Sequence, residues 1–165
     1  MSVVFTLASS EILGNAGYIT AFAALLVFIL IGIVFDIIGV AVATAQPAPF
    51  HSMASHKEQG AAESLRLLKN AEKVSSICND VVGDISGIVS GSTSAAIVAN
   101  LARDFSVNSV FISLLASGIV AALTIGGKAI GKTLAMNQNT RIVLAVGKII
   151  SFAGRIFRKK ARNRH

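Results

Sequence analysis

Apolar residues run from Ile12 to Phe35 with no charge among them, and past Asp36 the run extends to Ala45. About 20 such residues cross the hydrocarbon of a bilayer, so this stretch predicts a first spanning helix. Two further runs have comparable length: Val74 to Asn100, interrupted by Asp80 and Asp84, and Phe105 to Gly127. A fourth, Ile142 to Phe157, is interrupted by Lys148 and Arg155. Being short and cationic, it predicts an amphipathic helix on the membrane surface, apolar side in lipid and Lys148 and Arg155 among headgroups. Between the first two spans, Pro47 and Pro49 end the first, and Glu58 to Lys73 repeats Leu and Ala at helical spacing with Glu63, Arg66, Lys69 and Lys73 on other faces. That pattern predicts an amphipathic helix. The fold class is therefore all-α integral membrane, with three transmembrane helices and a C-terminal membrane-surface amphipathic helix. In these terms residues 1–17 form an extracytoplasmic lead-in without a usable motif, 18–154 the transmembrane domain and 155–165 a basic cytoplasmic tail.

Composition supports the membrane class. Of 165 residues, 53% are hydrophobic and only 14% charged, against about 25% charged in a soluble domain. A water-soluble fold is excluded on those numbers. The net charge of +7 is sorted along the chain. No acid follows Asp104, and six basic residues crowd Arg155 to Arg164, which reads as a cytoplasmic anchor for anionic lipid and not as a nucleic-acid surface. Lys57, Arg66, Lys69 and Lys73 lie between spans one and two, whereas the link between spans two and three has Arg103 balanced by Asp104. Short cytoplasmic loops retain positive charge, so the N-terminus is expected outside and the C-terminus in the cytoplasm of an inner (plasma) membrane. A fourth crossing would export the basic tail. Ala43-Thr44-Ala45 resembles a signal-peptide cleavage site, but no Lys or Arg precedes Lys57 and the apolar run is much longer than the usual h-region.

Span two carries the chemistry. Its Val and Ile residues favour insertion by about 3 to 5 kcal/mol together, while Asp80 and Asp84 oppose it by about 5 to 7 kcal/mol. Other helices must therefore surround it. Gly83, Gly87 and Gly91 recur every fourth residue, a doubled GxxxG that lets another backbone approach closely. Ser76, Ser86, Ser90, Ser92, Thr93 and Ser94 add hydroxyls that serve either helix packing or a polar pathway.

An acid in hydrocarbon is costly unless it is protonated, paired, or turned toward water or a cation. Asp80 and Asp84 are four apart and so share a helix face near the glycines. Asp36 lies at a similar depth in span one. Lys128, beside Gly126, Gly127 and Gly131, is the cation placed to reach them. Hard oxygens from these acids, Asn79, Thr44 and backbone carbonyls suit Mg²⁺, Ca²⁺ or Na⁺. The competing reading of the same residues is an Asp–Lys128 salt bridge that fixes helix register. No Ser/His/Asp set and no phosphate loop is present, so the chain is not expected to be an enzyme. His51 and His56 read as solvated, and Cys78 reads as a small packing residue.

The order of motifs resembles the transmembrane domain of the cyclin M/CorC magnesium-transporter family, from about Ile33 to Phe157. The carrying segments are Phe35-Asp36-Ile37-Ile38-Gly39-Val40-Ala41 with Thr44; Gly60-Ala61 and Leu67-Leu68-Lys69-Asn70-Ala71-Glu72-Lys73; Cys78-Asn79-Asp80-Val81-Val82-Gly83-Asp84; and Gly127-Lys128-Ala129-Ile130-Gly131-Lys132-Thr133-Leu134-Ala135. The resemblance implies a homodimer of three-span subunits with a cytoplasmic-side helical hairpin and a dehydrated Mg²⁺ between the spans. By position it places Asp36, Asn79 and Gly127 at the ion. Lys128 departs from the pattern, standing where the family has a glutamate; Gly39, Gly131 and Gly83 also replace typical residues, and the family's cytoplasmic nucleotide-sensing domains are absent from this sequence.

Residues and resemblance together give the expectation that the chain binds or transports a small inorganic cation, Mg²⁺ or Na⁺, through Asp36, Thr44, Asn79, Asp80, Asp84 and Gly127, with Lys128 modulating the charge. The alternative is a non-transporting scaffold or subunit that meets a membrane-protein partner through Gly83, Gly87 and Gly91 and presents its basic tail to anionic lipid or a cytoplasmic protein. The cation reading requires acids from separate helices to converge on one hollow.

Overall fold

The structure, a computed structural model, describes residues 18–105 and 109–162. Those residues are helical, with no strand among them. In order they form α1 (Tyr18–Thr44), α2 (Pro47–Ser55), α3 (Ala61–Lys69), α4 (Ala71–Ser76), a π-helical turn (Ile77–Val82), α5 (Gly83–Phe105), α6 (Ser109–Asn137) and α7 (Asn139–Arg162). Three helical stretches are long and apolar enough to cross a membrane: Ile19–Thr44, Ala71–Ala99 and Ser117–Asn137. These match the expected spans in number, and the first two in place as well. The expected lead-in over residues 1–17, the start of span three at 106–108 and the tail end at 163–165 lie outside the described residues.

The chain divides into two compact units, one holding residues up to Phe35 with Asn79–Gly131, the other Asp36–Cys78 with Lys132 onward. In the first, Ala21, Leu25 and Ile29 recur every fourth residue down α1 and bury against Ile97 of α5, with Ile33, Ala96 and Val120 packed around them. Close approach is set by small residues. A Cβ built on Gly32 of α1 would stand 3.1 Å from Ser86 Cβ of α5, and one on Gly127 of α6 would collide with Ile33 Cδ1 of α1. Without a hydrophobic force between helices in lipid, such backbone proximity is what supplies the packing contacts. The buried side of α5 is hydroxylated: Ser86, Ser90, Thr93 and Ser94 all lie in the interior.

The second unit is built from the end of α1, α2, α3, α4 with the first residues of the π turn, the end of α6, and α7. Its core is Phe50 with Ala41, Val42, Ala135 and Val143. Pro47 opens α2, where its missing N–H costs nothing. After α2 the backbone turns through Lys57 and Gly60, both in the left-handed region (φ 56° and 85°). Gly60 is required twice over, since a Cβ there would also come within 2.5 Å of the Lys148 backbone nitrogen. Across the same seam a Cβ on Gly147 would run into Ser64 Oγ and the Gly60 carbonyl. Ser64, fully buried, shares its hydroxyl proton between Gly60 O at 2.8 Å and Val143 O at 3.1 Å. At the other end of α7, Asn139 Nδ2 donates to Thr44 O (3.2 Å), satisfying a terminal carbonyl of α1. The Lys148–Glu58 salt bridge (3.4 Å) is about half exposed on both sides and is worth little.

Two local expectations are corrected. The single amphipathic helix expected over Glu58 to Lys73 is split. It begins at Ala61 and stops at Lys69, because Asn70 leaves helical geometry (φ −116°, ψ 32°) and bonds back to Arg66 O; α4 then starts at once and runs on toward span two. Span three does not end at Gly127: α6 continues to Asn137 through Lys128 and Lys132. The basic residues from Arg155 to Arg162 form the last turns of α7.

The seam gives a test. Gly147→Val should lower detergent-solubilised stability by about 2 kcal/mol or more through overpacking, whereas Gly154→Ala, where a Cβ meets nothing within 4 Å, should stay within about 0.5 kcal/mol of wild type. Thermal unfolding followed by circular dichroism separates the two.

Candidate functional site

The residues nominated from the sequence fall on both units. Asp36, half-buried, opens the second, and Thr44 closes α1 there with its hydroxyl donated to Val40 O at 2.9 Å. Asn79, Asp80, Asp84, Gly127 and Lys128 belong to the first.

Span two carries a feature that the residue pattern did not announce. Over Ile77–Val82 the helix opens into a π turn, which holds Cys78, Asn79 and Asp80. Single π turns widen the backbone by one residue and recur at functional sites. Cys78 is buried, Asn79 half-buried with its Oδ1 shielded from solvent, and Asp80 exposed. Asp84 follows in the first turn of α5, also exposed. The signal available in the sequence was the Asn-Asp pair itself, placed inside an otherwise apolar span.

Among the described residues, no three His, Cys, Asp or Glu side chains gather where they could hold a metal ion. A cation here would have to draw on neutral oxygens as well. Gly127 cannot give a wholly free carbonyl, since α6 is unbroken around it and an intrahelical N–H already occupies that oxygen. Lys128 is half-buried and forms no salt bridge with Asp84, so the register-fixing pair between those two residues is not made. One hollow of about 430 Å³ in the first unit, between α1, α5 and α6, is lined among the described residues by Phe22, Leu25, Ile97, Phe111, Leu123 and the single hydroxyl of Ser94. Its chemistry suits hydrocarbon and not an ion.

The hydroxyls and glycines of α5 separate cleanly. The hydroxyl-rich side turns inward; Ser90 donates to Gly87 O (3.1 Å) and half-buried Ser92 to Val89 O (3.0 Å), so both serve their own helix. Of the glycine stripe, Gly83 is buried, but Gly87 and Gly91 are exposed and a Cβ on either meets nothing within 4 Å. By helical spacing, Asp84, Gly87, Ile88, Gly91 and Ala95 share this open face, all of them exposed.

No protein-family model, no curated protein and no solved structure matches the chain.

The two sides of α5 should respond oppositely to bulk. Gly32→Val, forced against Ser86, should lower the unfolding temperature by several degrees, while Gly87→Leu, placed in open space, should leave it unchanged within a degree or two. A thermal scan of the two variants in detergent reads this directly.

Proposed function

We propose that this multi-pass membrane protein binds a small inorganic cation, Mg²⁺ or Na⁺, at membrane depth and moves it across the bilayer, with the π turn of span two as the polar element. The observation that carries the reading is the placement of Asn79 and Asp80 on a widened turn of a helix apolar enough to span, with exposed Asp84 just beyond. Acids at that depth cost several kcal/mol unless a cation, a proton or a polar partner compensates them. Asp80 and Asp84 supply charge, Asn79 a neutral oxygen, and Lys128 a positive charge that weakens binding of a divalent ion. Asp36, Thr44 and Gly127 complete the donor set that the resemblance implies, and Gly126, Gly127 and Gly131 are the positions where α6 bends if the site opens alternately to each side. In this reading the N-terminus is extracytoplasmic, the C-terminus cytoplasmic, the membrane the inner one, and the unit a homodimer.

A second reading has its own support, the open Gly87–Gly91 face of α5, where a Cβ would meet no described residue within 4 Å. On it the chain is a non-transporting membrane subunit that packs against a partner helix.

Purified protein in liposomes distinguishes them. On the transport reading, Mg²⁺ or Na⁺ enters protein-containing vesicles above the lipid background, Asp80→Asn and Asp84→Asn each cut the rate at least tenfold, and Lys128→Glu raises Mg²⁺ uptake. Saturating ion should also raise stability, by about 2.7 kcal/mol at a hundredfold excess over Kd. Zero flux and no ion-dependent stabilisation in all four proteins, with association lost in Gly87→Ile, would leave the subunit reading in its place.

A further inference from the structure

The apolar hollow between α1, α5 and α6 does not stand alone. A second one, also about 430 Å³, lies one helical turn further along α1 and is bordered by Leu30, Ile33, Gly127 and Ile130. Leu26, Ile29 and Leu123 line both, so the two form one groove, wholly within the first unit. It is open along one side: Phe22, Leu26 and Leu30 stay about half exposed, and Phe111 and Ile130 more so. At its lower end α1 and α6 close on each other, with Ile33 Cδ1 where a Cβ of Gly127 would stand. Among the described lining residues Ser94 is the one hydroxyl, and none is charged.

Length and depth say what fits. From Phe22 to Ile33 the groove follows α1 for about 16 Å, against about 15 Å for the hydrocarbon of one leaflet. It starts three residues inside the spanning stretch Ile19–Thr44 and ends near the middle of that stretch. Either hollow is about three times the ~150 Å³ that takes up benzene in an apolar protein core, which is room for a chain of roughly sixteen carbons. Left empty, the lining would forfeit the dispersion contacts that hold spans together in lipid. A partner helix suits the groove poorly. Close helix contact in a membrane uses small residues, and no glycine or alanine lines the upper hollow, where Phe22, Leu26, Phe111 and Leu115 hold another backbone away. A thin, flexible hydrocarbon meets no such obstacle.

We propose that this groove holds one acyl tail of a membrane phospholipid, drawn from the leaflet at the N-terminal end of α1, as a resident lipid that completes the packing of the three spans. The proposal rests on the chain spanning a membrane and is independent of whether it moves an ion. With no charge along the groove, the site selects the length of the tail and not the headgroup.

The full chain, purified in detergent and washed free of bulk lipid, should retain a single phospholipid by native mass spectrometry, with headgroups in the proportions of the source membrane. Leu26→Trp combined with Leu123→Trp, which fills the groove from two half-exposed positions, should reduce that retention at least fivefold. Ile125→Trp, exposed and outside the groove, should not. The unmutated chain supplies a reading that does not depend on how the variants fold. After the same wash, phosphatidylcholine carrying a diazirine at the end of a sixteen-carbon tail should label Leu30, Ile33 or Ile130 in preference to Ile125. Delipidated protein should regain several degrees of unfolding temperature with sixteen-carbon tails and none with eight-carbon tails. No retained lipid and no labelling in the unmutated chain would overturn the proposal. Equal retention in all three proteins, or labelling spread evenly over the spans, would place the lipid elsewhere and overturn it too. A dimer that carries no lipid and is lost in the double variant would put a second copy in the groove instead.

Discussion

Inside hydrocarbon a hydroxyl, an amide or a carboxylate has no water to turn to, and the architecture follows from how each such group is satisfied. Serine and threonine side chains on the spans bond to carbonyls of the preceding turn: Ser90 to Gly87, Ser92 to Val89, Thr124 to Val120 at 2.8 Å. Once those protons are spent, the hydroxylated side of α5 behaves as a small, smooth surface, and Gly32 of α1 can come down onto Ser86. The helix ends obey the same rule. Thr44 O, which would otherwise be an orphan at the end of α1, receives Asn139, and that bond decides where α7 begins. What remains unneutralised on the spans is ionic, above all Asp84, and it is at those groups that a bound ion or a partner has something to gain.

The spans were legible from the sequence because the bilayer imposes a length criterion that composition alone can meet; all three reappear, the first two close to their expected limits. The split at Asn70 was not. A run of Leu and Ala at helical spacing continues through it, and only the competition of the Asn side chain for Arg66 O breaks the helix there. The extension of α6 to Asn137 was hidden for a related reason. Lys128 and Lys132 look like an end to an apolar run, yet long cationic side chains can stay on a helix while their ammonium groups reach outward.

The polar site was half legible. Asn79, Asp80 and Asp84 announce themselves by residue type, but the π turn that carries the first two depends on backbone hydrogen bonds that no residue pattern specifies. The glycine stripe divides for a geometric reason: Gly83, immediately after that turn, sits on the buried side, and Gly87 and Gly91 do not. The convergence of acids required by the cation reading has only weak backing in the described residues, where two aspartates stand near one junction and no third His, Cys, Asp or Glu joins them.

Where Gly60 and Gly147 cross, the chain meets itself backbone to backbone, with the Ser64 hydroxyl bonded to the Gly60 and Val143 carbonyls beside them. Interchangeable greasy side chains can fill a lipid-facing helix in countless ways, so span composition leaves a faint ancestral trace. A crossing that excludes a β-carbon at Gly60 and at Gly147 permits almost no drift. Kinship to distant proteins is therefore better sought in the sparse signature Gly60-x-x-x-Ser64 paired with Gly147 than in the hydrophobic stretches that make up most of the polypeptide.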